Sequence, residues 1–235
     1  RCNIEDQINN NKFGLFFFKK NIRLASRVLV LNEESNHFVS TLKNAKTQCF
    51  IVPNFLQKNC VVKNKTIKQH IENVSFVGHL LKQKGIEEII TLAKEFPNLH
   101  FTLACGYTEQ YPNRNHFPQN VEITGNLPVN DVFQILDKSD VFLFPTHSEG
   151  FSNALLEAMA RGLPVITTNV GANTDMLENK GGIIVDAKSN EQLKNALIKI
   201  DDELIRKEMS AWNIDKVMKS YICLLYTSDA ADDLT

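Results

Sequence analysis

Two carboxylates, Glu149 and Glu157, stand eight positions apart in the stretch SEGFSNALLEAMARG, residues 148–162. The first precedes a glycine, and the second is set among Ala, Leu and Met. Burying a carboxylate without a partner is costly, so Glu157 needs either a ligand or a cation. It could accept hydrogen bonds from two neighbouring hydroxyls, such as a ribose diol, or form an ion pair with Arg161, four positions on. Spacing alone leaves both interpretations open.

The two carboxylates are predicted to belong to a strand–loop–helix unit. VFLFPT, residues 141–146, has the continuous apolar character of a buried parallel strand, and NALLEAMARG, residues 153–162, has the pattern of a helix. Ser152 stands where that helix should begin and Gly162 where it should stop. Glu149 then occupies the loop at the carboxyl end of a parallel strand, the edge at which open α/β sheets bind ligands.

That loop and helix start have the features of a nucleotide site. Gly150 lets the backbone approach a ligand closely, and the free N–H groups of Phe151, Ser152 and Asn153 point outward as donors to phosphate. The expected arrangement places a ribose at Glu157, a diphosphate at the helix start and the next group of the ligand near the first carboxylate.

Strands and helices alternate along the chain from residue 74 onward. The predicted strands cover 74–80, 99–105, 121–126, 141–146, 164–169 and 182–186, and the predicted helices cover 86–96, 129–139, 153–162 and 191–200. Asn190 is the predicted N-cap of the last of these helices. Such alternation with short loops predicts an α/β fold with a doubly wound parallel sheet, the Rossmann-like arrangement.

The sequence predicts an incomplete second α/β domain before this sheet. Residues 1–56 contain about two strand–helix units, too few to close a core of their own, and we expect them to be the last part of another α/β domain. Residues 57–73, polar and lysine-rich, are predicted to be the linker to the sheet domain of residues 74–200. Residues 201–222 are predicted to be a closing helical segment.

The two ends of the chain differ from the rest. The first residue is Arg1 rather than Met, so we expect the chain to begin inside a longer gene. CLLYTSDAADDLT, residues 223–235, changes composition abruptly and matches the translation of a transposase adapter used for sequencing libraries. We therefore expect residues 223–235 to be adapter read-through.

Composition argues against several classes of protein. Hydrophobic residues make up 43% of the 235 residues, and the net charge of −1, with basic residues spread along the chain, leaves no footprint for nucleic acid. The apolar runs are too short to span a bilayer, and no signal-peptide pattern occurs. The five cysteines lack CxxC spacing, which favours reduced cytoplasmic thiols over disulfides or zinc. No paired-histidine pattern indicates a metal centre.

The loop after the first strand of the sheet domain disfavours two common nucleotide-binding classes. VSFVGHL, residues 74–80, is followed by LKQKG. A Rossmann dehydrogenase would show GxGxxG at this point, and a P-loop enzyme would show GxxxxGK[ST].

Several ordered elements together resemble one known family. The run SEGFSNALLEAMARGLPVI resembles the E-x7-E signature of glycosyltransferase family 4, retaining enzymes built from two Rossmann-like domains, and VSFVGHLLKQKGIEEII is similar to that family's Gly-Arg-Leu…Lys-Gly element. RVLVLNEESNHFV and CFIVPNF are similar to the end of its N-terminal domain and its crossover. The resemblance extends from about residue 22 to residue 221. It implies a retaining glycosyltransferase that moves a sugar from a nucleotide-diphosphate sugar to an acceptor hydroxyl, in bacterial polysaccharide or glycolipid biosynthesis.

The resemblance implies roles for the matching residues. Glu149 would contact the transferred sugar or help to organise the reaction centre, and Glu157 would bind the donor ribose. Lys84 would neutralise the diphosphate as the leaving group gains negative charge. Gly78 would give the phosphates room, and Asn126 would line the base pocket.

His79 departs from the family's pattern. The family usually has arginine there, a permanently charged fork for phosphate, whereas the charge of histidine depends on pH. Either Lys82 neutralises part of the phosphate charge, or this chain binds its donor differently. A third interpretation makes His79 a plain residue at the end of a strand.

The implied partners are a nucleotide-sugar donor and a saccharide or lipid-linked acceptor that docks on the N-terminal domain. Nucleic acid is not expected as a partner. A metal is not expected either, because basic side chains and a helix end would neutralise the charge of the diphosphate. The expected location is the cytoplasm, at the inner face of the membrane through the N-terminal domain. This chain by itself is expected not to turn over. The alternative is a non-catalytic sugar-nucleotide-binding or scaffold module of the same fold.

Overall fold

The computed structural model describes residues 12–44 and 46–222, with side chains from residue 14 onward. The predictions for Arg1 and for residues 223–235 fall outside the described residues. The helices are α1 (Lys12–Leu24), α2 (Glu33–Leu42), α3 (Ile86–Glu95), α4 (Val129–Lys138), α5 (Asn153–Ala160), α6 (Asn173–Leu177), α7 (Asn190–Lys199) and α8 (Glu203–Ser220). The strands are β1 (Arg27–Val30), β2 (Gln48–Ile51), β3 (Asn73–Val77), β4 (His100–Ala104), β5 (Val121–Ile123), β6 (Val141–Phe144), β7 (Val165–Thr168) and β8 (Gly182–Val185).

Six parallel strands form the main sheet in the order β5-β4-β3-β6-β7-β8. The chain runs outward from β3 through β4 to β5, then returns to the other side of β3 with β6 and continues to β8. The order reverses between β3 and β6, and open α/β sheets bind ligands at such a reversal, outside the carboxyl ends of the strands. The doubly wound parallel sheet predicted from the sequence is confirmed.

All six predicted strands of this sheet are present, but several end earlier than predicted. β6 stops at Phe144 because Pro145 follows and cannot donate to the ladder. β5 stops at Ile123, two residues before Gly125, whose φ of 83° turns the chain. Because the strands stop early, loops begin at their carboxyl ends. The site residues predicted from the sequence after β3, β5 and β6 lie on these loops.

Apolar side chains cover both faces of the sheet. Every residue of β6 and β7 is buried, as the continuous apolar character of their sequences predicts. α3 and α5 each contribute a row of fully covered residues, among them Ile86 and Ile89 from the first and Leu155 and Met159 from the second. Each such side chain contributes about 1.5–3 kcal/mol when it is fully buried. The loops beside these helices are therefore anchored to a rigid core.

Both ends of α5 lie where the sequence predicts. The hydroxyl of Ser152 accepts a hydrogen bond from the N–H of Leu155 at 3.1 Å, which makes it the N-cap. At the other end Gly162 adopts φ 68°, and its N–H donates to the carbonyl of Met159 at 2.9 Å, as in a Schellman motif. The helix that carries Glu157 is thus fixed at both termini.

The predicted cap of α7 is wrong by one residue. Ser189, not Asn190, is the N-cap, because Ser189 has extended backbone angles and its hydroxyl accepts from the N–H of Gln192 at 3.4 Å. Asn190 is instead the first helical residue. Serine and asparagine cap helices about equally well, so composition alone could not choose between neighbours.

The N-terminal part forms a separate two-stranded parallel sheet of β1 and β2, flanked by α1 and α2. Its buried apolar cluster is small and consists of Ile22, Val30, Val39 and Leu42. The two strand–helix units predicted for this region are confirmed as elements.

The segment predicted as a linker packs against the main domain. Within it, the N–H of Val62 donates to the carbonyl of Ala160 at 3.0 Å, and just before it the N–H of Leu56 donates to the carbonyl of Tyr221 at 2.8 Å. The chain just before the main domain, at Leu56, therefore contacts the chain just after α8, at Tyr221. Within the described ranges, no helix is long and apolar enough to cross a membrane.

Candidate functional site

Lys84 and Glu149 form an ion pair in the crevice between β3 and β6. Lys84 belongs to a 3-10 turn, Lys82–Lys84, on the β3 side, and Glu149 lies on the loop after β6. The ammonium of Lys84 donates to Oε1 of Glu149, and the two side chains are only 10% and 11% exposed. The ring of Phe144 lies 6.0 Å from the ammonium nitrogen. The structure thus joins two of the predicted site residues directly.

Two glycines allow the loops of this crevice to approach closely. Gly85 has φ 76°, and a Cβ added there would lie 2.2 Å from the carbonyl oxygen of Pro145. Gly171 has φ 55°, and a Cβ added there would lie 2.1 Å from the carbonyl oxygen of Glu149. Any other residue at either position would displace the loop that carries Glu149. Gly150, by contrast, faces open space, which suits the approach of a ligand.

A second acid–base pair crosses the same crevice, with its acid on the β3 side and its base on the loop after β6. Nε2 of His147, on the loop after β6, lies 2.8 Å from Oε1 of Glu88 on α3. The His147 side chain is 19% exposed and that of Glu88 is 8% exposed. The other oxygen of Glu88 is buried without a hydrogen-bond partner in the part of the chain that the structure describes. The β3 side thus contributes the base to one pair and the acid to the other.

Sequence reasoning missed Glu88 as a site residue. One signal was present, because Glu88 stands four positions after Lys84 on a helix whose neighbouring positions, such as Ile89, are apolar. Its partner His147, fifty-nine positions away, could not be identified without the strand order. Among the described residues, no group of three or more His, Cys, Asp or Glu is arranged to hold a metal ion.

The start of α5 presents backbone donors beside the crevice. The hydroxyl of Ser152 caps the helix by accepting from the N–H of Leu155. The N–H groups of Phe151, Ser152 and Asn153 have no acceptor among residues 12–44 and 46–222. The ring of Phe151 packs edge-on against Tyr221, with the ring centroids 6.0 Å apart. The side chain therefore fixes the loop, while the backbone amides remain available to an anion.

The N-terminal part contacts this loop through two asparagines. The side chain of Asn32 donates to the carbonyl of Gly150 at 2.6 Å, and the side chain of Asn54 donates to Oδ1 of Asn153 at 2.6 Å. Asn32 is buried and also caps α2, so its amide is held from both sides. Neither asparagine is conspicuous in the sequence, because asparagine before a helix ordinarily indicates only a cap.

Glu157 is half-buried on α5, and burial raises the pKa of its carboxyl. The ion pair with Arg161, which spacing allowed, is not formed. Nε of Arg161 instead donates to Oδ1 of Asp137 at 2.6 Å, and its Nη1 donates to the carbonyl of Cys60 at 3.1 Å. For the carboxylate of Glu157, the described residues supply no hydrogen-bond partner. The ion pair with Arg161 is therefore wrong, and the ribose role of Glu157 stays a prediction.

The remaining predicted residues lie at the same edge of the sheet. Gly78 and His79 directly follow β3, and Asn126 follows β5. Oδ1 of Asn126 accepts from the N–H of Gly106 at 3.1 Å, which joins the loops after β4 and β5. His79 and Lys82 are both exposed.

A polar cavity of about 350 Å³ opens on the Glu149 side of the crevice. Its walls come from three segments: Glu34 of α2, residues 147–149 after β6 and residues 169–171 after β7. The volume lies within the range of small-molecule sites. Glu157 is not part of its lining, so the ribose position predicted at Glu157 and this cavity are separate places along the crevice.

A family model described as glycosyl transferases group 1 matches residues 62–213, a range that contains both crevice loops and α5. The chain belongs to this family. Among curated relatives, it is 25% identical over 227 residues to the capsular polysaccharide biosynthesis glycosyltransferase CapM of Staphylococcus aureus, covering 86% of this chain and 60% of CapM. It is 25% identical over 201 residues to the putative teichuronic acid biosynthesis glycosyltransferase TuaC of Bacillus subtilis, covering 81% and 50%. The chain thus spans half to three fifths of the length of these group 1 relatives.

Solved glycosyltransferase structures share the fold of this group 1 chain. HepE of Anabaena in complex with UDP superposes with a TM-score of 0.79 at 18% identity, covering 95% of this chain and 68% of HepE. Sucrose-phosphate synthase of Thermosynechococcus elongatus superposes with a TM-score of 0.77 at 18% identity, covering 90% and 58%. At such identities the likeness shows the fold.

Proposed function

We propose that this group 1 chain binds a nucleotide-diphosphate sugar and serves its transfer to an acceptor hydroxyl with retention of anomeric configuration. The observation that carries the proposal is the Lys84–Glu149 pair, which lies at the reversal of strand order beside the open amide groups of α5. Parallel α/β sheets bind nucleotides at this reversal, so a cation held there would contact the diphosphate. Retention is implied by the resemblance of the E-x7-E run to retaining enzymes.

Lys84 is the group proposed to assist departure of the diphosphate. Its ammonium has three donors, so it can remain bonded to Glu149 while it turns another N–H to a phosphate oxygen. The pair is nearly buried, and a charge fixed in such a site stabilises developing negative charge more strongly than it would in water. Glu149 thereby aims the lysine and lies next to the sugar.

Glu157 is proposed to hold the donor ribose. Its carboxylate is half-buried with no partner among the described residues, and the two hydroxyls of a ribose would supply two hydrogen bonds. Hydrogen bonds to a charged group contribute about 1.5–3 kcal/mol each, which offsets the cost of desolvating the carboxylate. The empty acceptor capacity of Glu157 is therefore what a ribose diol would fill.

The charge of the diphosphate is proposed to be taken by protein groups rather than by a metal ion. Lys84, the amides at the start of α5 and the exposed side chains of His79 and Lys82 are the groups proposed to bind it. Asn126, on the loop after β5, is proposed to line the base pocket.

The biological setting is proposed from the relatives. CapM and TuaC carry names that refer to capsular polysaccharide and teichuronic acid biosynthesis, and HepE was solved with UDP. We place this protein in bacterial polysaccharide or glycolipid assembly, in the cytoplasm at the inner face of the membrane. The acceptor would dock on the N-terminal side, where β1 and β2 are the two strands described. The chain as it stands is proposed to bind donor without turnover.

Calorimetric titration with UDP-, GDP- and ADP-sugars tests the proposal. One donor is expected to bind, and Glu157→Ala is expected to weaken it by about tenfold or more, because two charge-assisted hydrogen bonds are lost. Glu191→Ala, at an exposed position in the first turn of α7, is the matched control and should bind like the unmodified chain. Absence of heat with every donor would favour the scaffold alternative. Measured sugar transfer by this chain would contradict the prediction that it does not turn over.

A further inference from the structure

We propose that Asn32 is a positioning residue for the diphosphate, because it fixes the direction of the Phe151 N–H through the peptide that joins Gly150 to Phe151. This role rests on the proposed function, in which the amides at the start of α5 bind the diphosphate of the donor. Asn32 acts through the backbone of Gly150 rather than on the ligand itself. The donor site then depends on a residue of the N-terminal part as well as on the main domain.

The carbonyl of Gly150 and the N–H of Phe151 belong to one planar peptide unit. In a trans peptide, the form found here, the carbonyl and the N–H point in opposite directions. A contact that holds the carbonyl therefore also sets the direction of the N–H. The N–H of Phe151 has no acceptor among residues 12–44 and 46–222, so its direction decides what it can bind.

Two donors from different parts of the chain hold the carbonyl of Gly150. Nδ2 of Asn32 donates to it at 2.6 Å, and the N–H of Ala172, after β7, donates to it at 3.0 Å. Both lone pairs of the carbonyl oxygen are then used. Gly150 itself supplies little restraint, because it lacks a Cβ and an added Cβ would meet no atom within 4 Å. The orientation of this peptide therefore depends on its two donors.

The side-chain amide of Asn32 is oriented with its nitrogen towards Gly150. Its oxygen accepts from the N–H of Ser35 at 2.8 Å, which makes Asn32 the N-cap of α2. An amide whose oxygen is bound at one end presents its N–H donors at the other. Asn32 is only 4% exposed, so the side chain is held in this orientation by its surroundings. One side chain thus caps α2 and restrains the loop that begins α5.

The side chain of Phe151 holds the same peptide from its other end. Its ring packs against the ring of Tyr221, with the centroids 6.0 Å apart. With the carbonyl and the ring both held, the N–H is oriented before a ligand arrives. A donor that is already oriented spares the ligand the entropic cost of ordering it. Loss of the Asn32 contact should therefore weaken binding of the diphosphate in the folded protein.

The variant Asn32→Ser separates the two roles of Asn32. Serine caps helices about as well as asparagine, but its side chain is one atom shorter and its hydroxyl is used by the cap. Calorimetric titration of the chain with UDP, GDP and ADP identifies the diphosphate that the parent binds. Asn32→Ser should bind it about three- to tenfold more weakly, the equivalent of one neutral hydrogen bond. Asn36→Ser is the matched control, because Asn36 lies one turn later on α2 and donates to Glu33 instead.

A nuclear magnetic resonance measurement reports on the peptide itself in the free protein. An HNCO spectrum correlates the Gly150 carbonyl with the Phe151 N–H in one signal, and loss of a hydrogen bond to the carbonyl moves its carbon resonance upfield. Asn32→Ser should move this signal, and Asn36→Ser should leave it in place. A role in stability alone would change the free energy of unfolding without changing the nucleotide affinity of the folded chain.

The outcomes distinguish this role from the proposed function. If a diphosphate binds the parent and binds Asn32→Ser equally well, the positioning role is overturned and the proposed function stands. A Gly150 carbonyl signal that does not move in Asn32→Ser overturns the positioning role as well. If none of the three diphosphates binds the parent, the proposed function is overturned, and the positioning role with it.

Discussion

At the scale of single residues, the crevice separates the roles of its two signature carboxylates. Glu149 is bonded to a lysine, while Glu157 has no partner among the described residues, although both stand on the same short segment. Arg161 cannot serve Glu157, because Asp137 holds its guanidinium. One carboxylate is therefore already hydrogen-bonded in the free protein, and the other is the one proposed to bind the ribose.

Glu157 should make folding stability depend on pH. Burial raises the pKa of the Glu157 carboxyl above its ordinary value, so the unfolded chain releases this proton at lower pH than the folded chain does. The contribution of Glu157 to stability therefore falls as pH rises through the range between those two pKa values, and then levels off. Urea unfolding from pH 4 to pH 8 should show that Glu157→Gln removes this dependence. A stability difference between variant and parent that stays constant with pH would contradict the prediction.

At the scale of elements, the first turn of α5 combines a structural cap with a proposed anion site. The hydroxyl of Ser152 accepts from the N–H of Leu155, so the cap leaves the N–H groups of Phe151, Ser152 and Asn153 without an acceptor among the described residues. α7 begins with an equivalent serine, Ser189, but far from the crevice loops in sequence. Variants of the two serines therefore separate the effect of losing a helix cap from an effect on ligand binding at the crevice.

Ser152→Ala and Ser189→Ala should reduce the folding stability by similar amounts, but they should differ in their effect on nucleotide binding. Each loses an N-cap hydrogen bond, so each should destabilise the fold by about 1 kcal/mol. Only Ser152→Ala should also weaken binding of the nucleotide, because its loss loosens the amides that meet the diphosphate. Urea unfolding and calorimetric titration of both variants give the comparison. Equal nucleotide affinity in the two variants would show that the start of α5 does not hold the phosphates.

Local sequence pattern determined most of the elements but not the pairs that cross between them. The six strands of the main sheet, the helices α3, α4, α5 and α7, and both ends of α5 followed from apolar periodicity, Ser152 and Gly162. The short helix α6 was not predicted. The predicted role of Lys84 came from a resemblance, whereas that of Glu157 followed from its place in an apolar helix and was then supported by the resemblance. Both remain predictions. The Glu88–His147 pair and the contact of Asn32 with Gly150 could not be predicted, because each joins residues far apart in sequence. Such contacts depend on the strand order, which local patterns do not contain.

At the scale of the whole molecule, the closing helix α8 fastens the main domain to the segment that precedes β3. Arg206 is 1% exposed, and its guanidinium donates to the carbonyls of Ile200, Lys68 and Gln69 at 2.8, 2.7 and 3.0 Å. Asn213, also buried, donates to the carbonyls of Leu163 and Gly181. α8 thus serves as a clamp rather than as a separate appendage.

Arg206→Met should destabilise the protein strongly. The variant leaves three carbonyl oxygens without their donor in a buried place, and we expect a loss of about 3 kcal/mol. Lys207→Met is the control, because Lys207 is 54% exposed and its ion pair with Glu203 lies along the helix surface. That change should stay within about 0.5 kcal/mol. Chemical denaturation measures both values, and a small effect of Arg206→Met would contradict the clamp.

The joint between β3 and β6 has a consequence for the order of folding. Its ladder pairs only Val74 with Val141 and Ser75 with Phe142, whereas β3 and β4 are paired over five positions. Residues so distant in sequence meet late, because closing a long loop costs entropy before any contact compensates it. The crevice between β3 and β6 should therefore form last, after each three-stranded half has formed. Backbone amides at this joint should exchange with deuterium sooner than those between β3 and β4, and a bound nucleotide should slow that exchange.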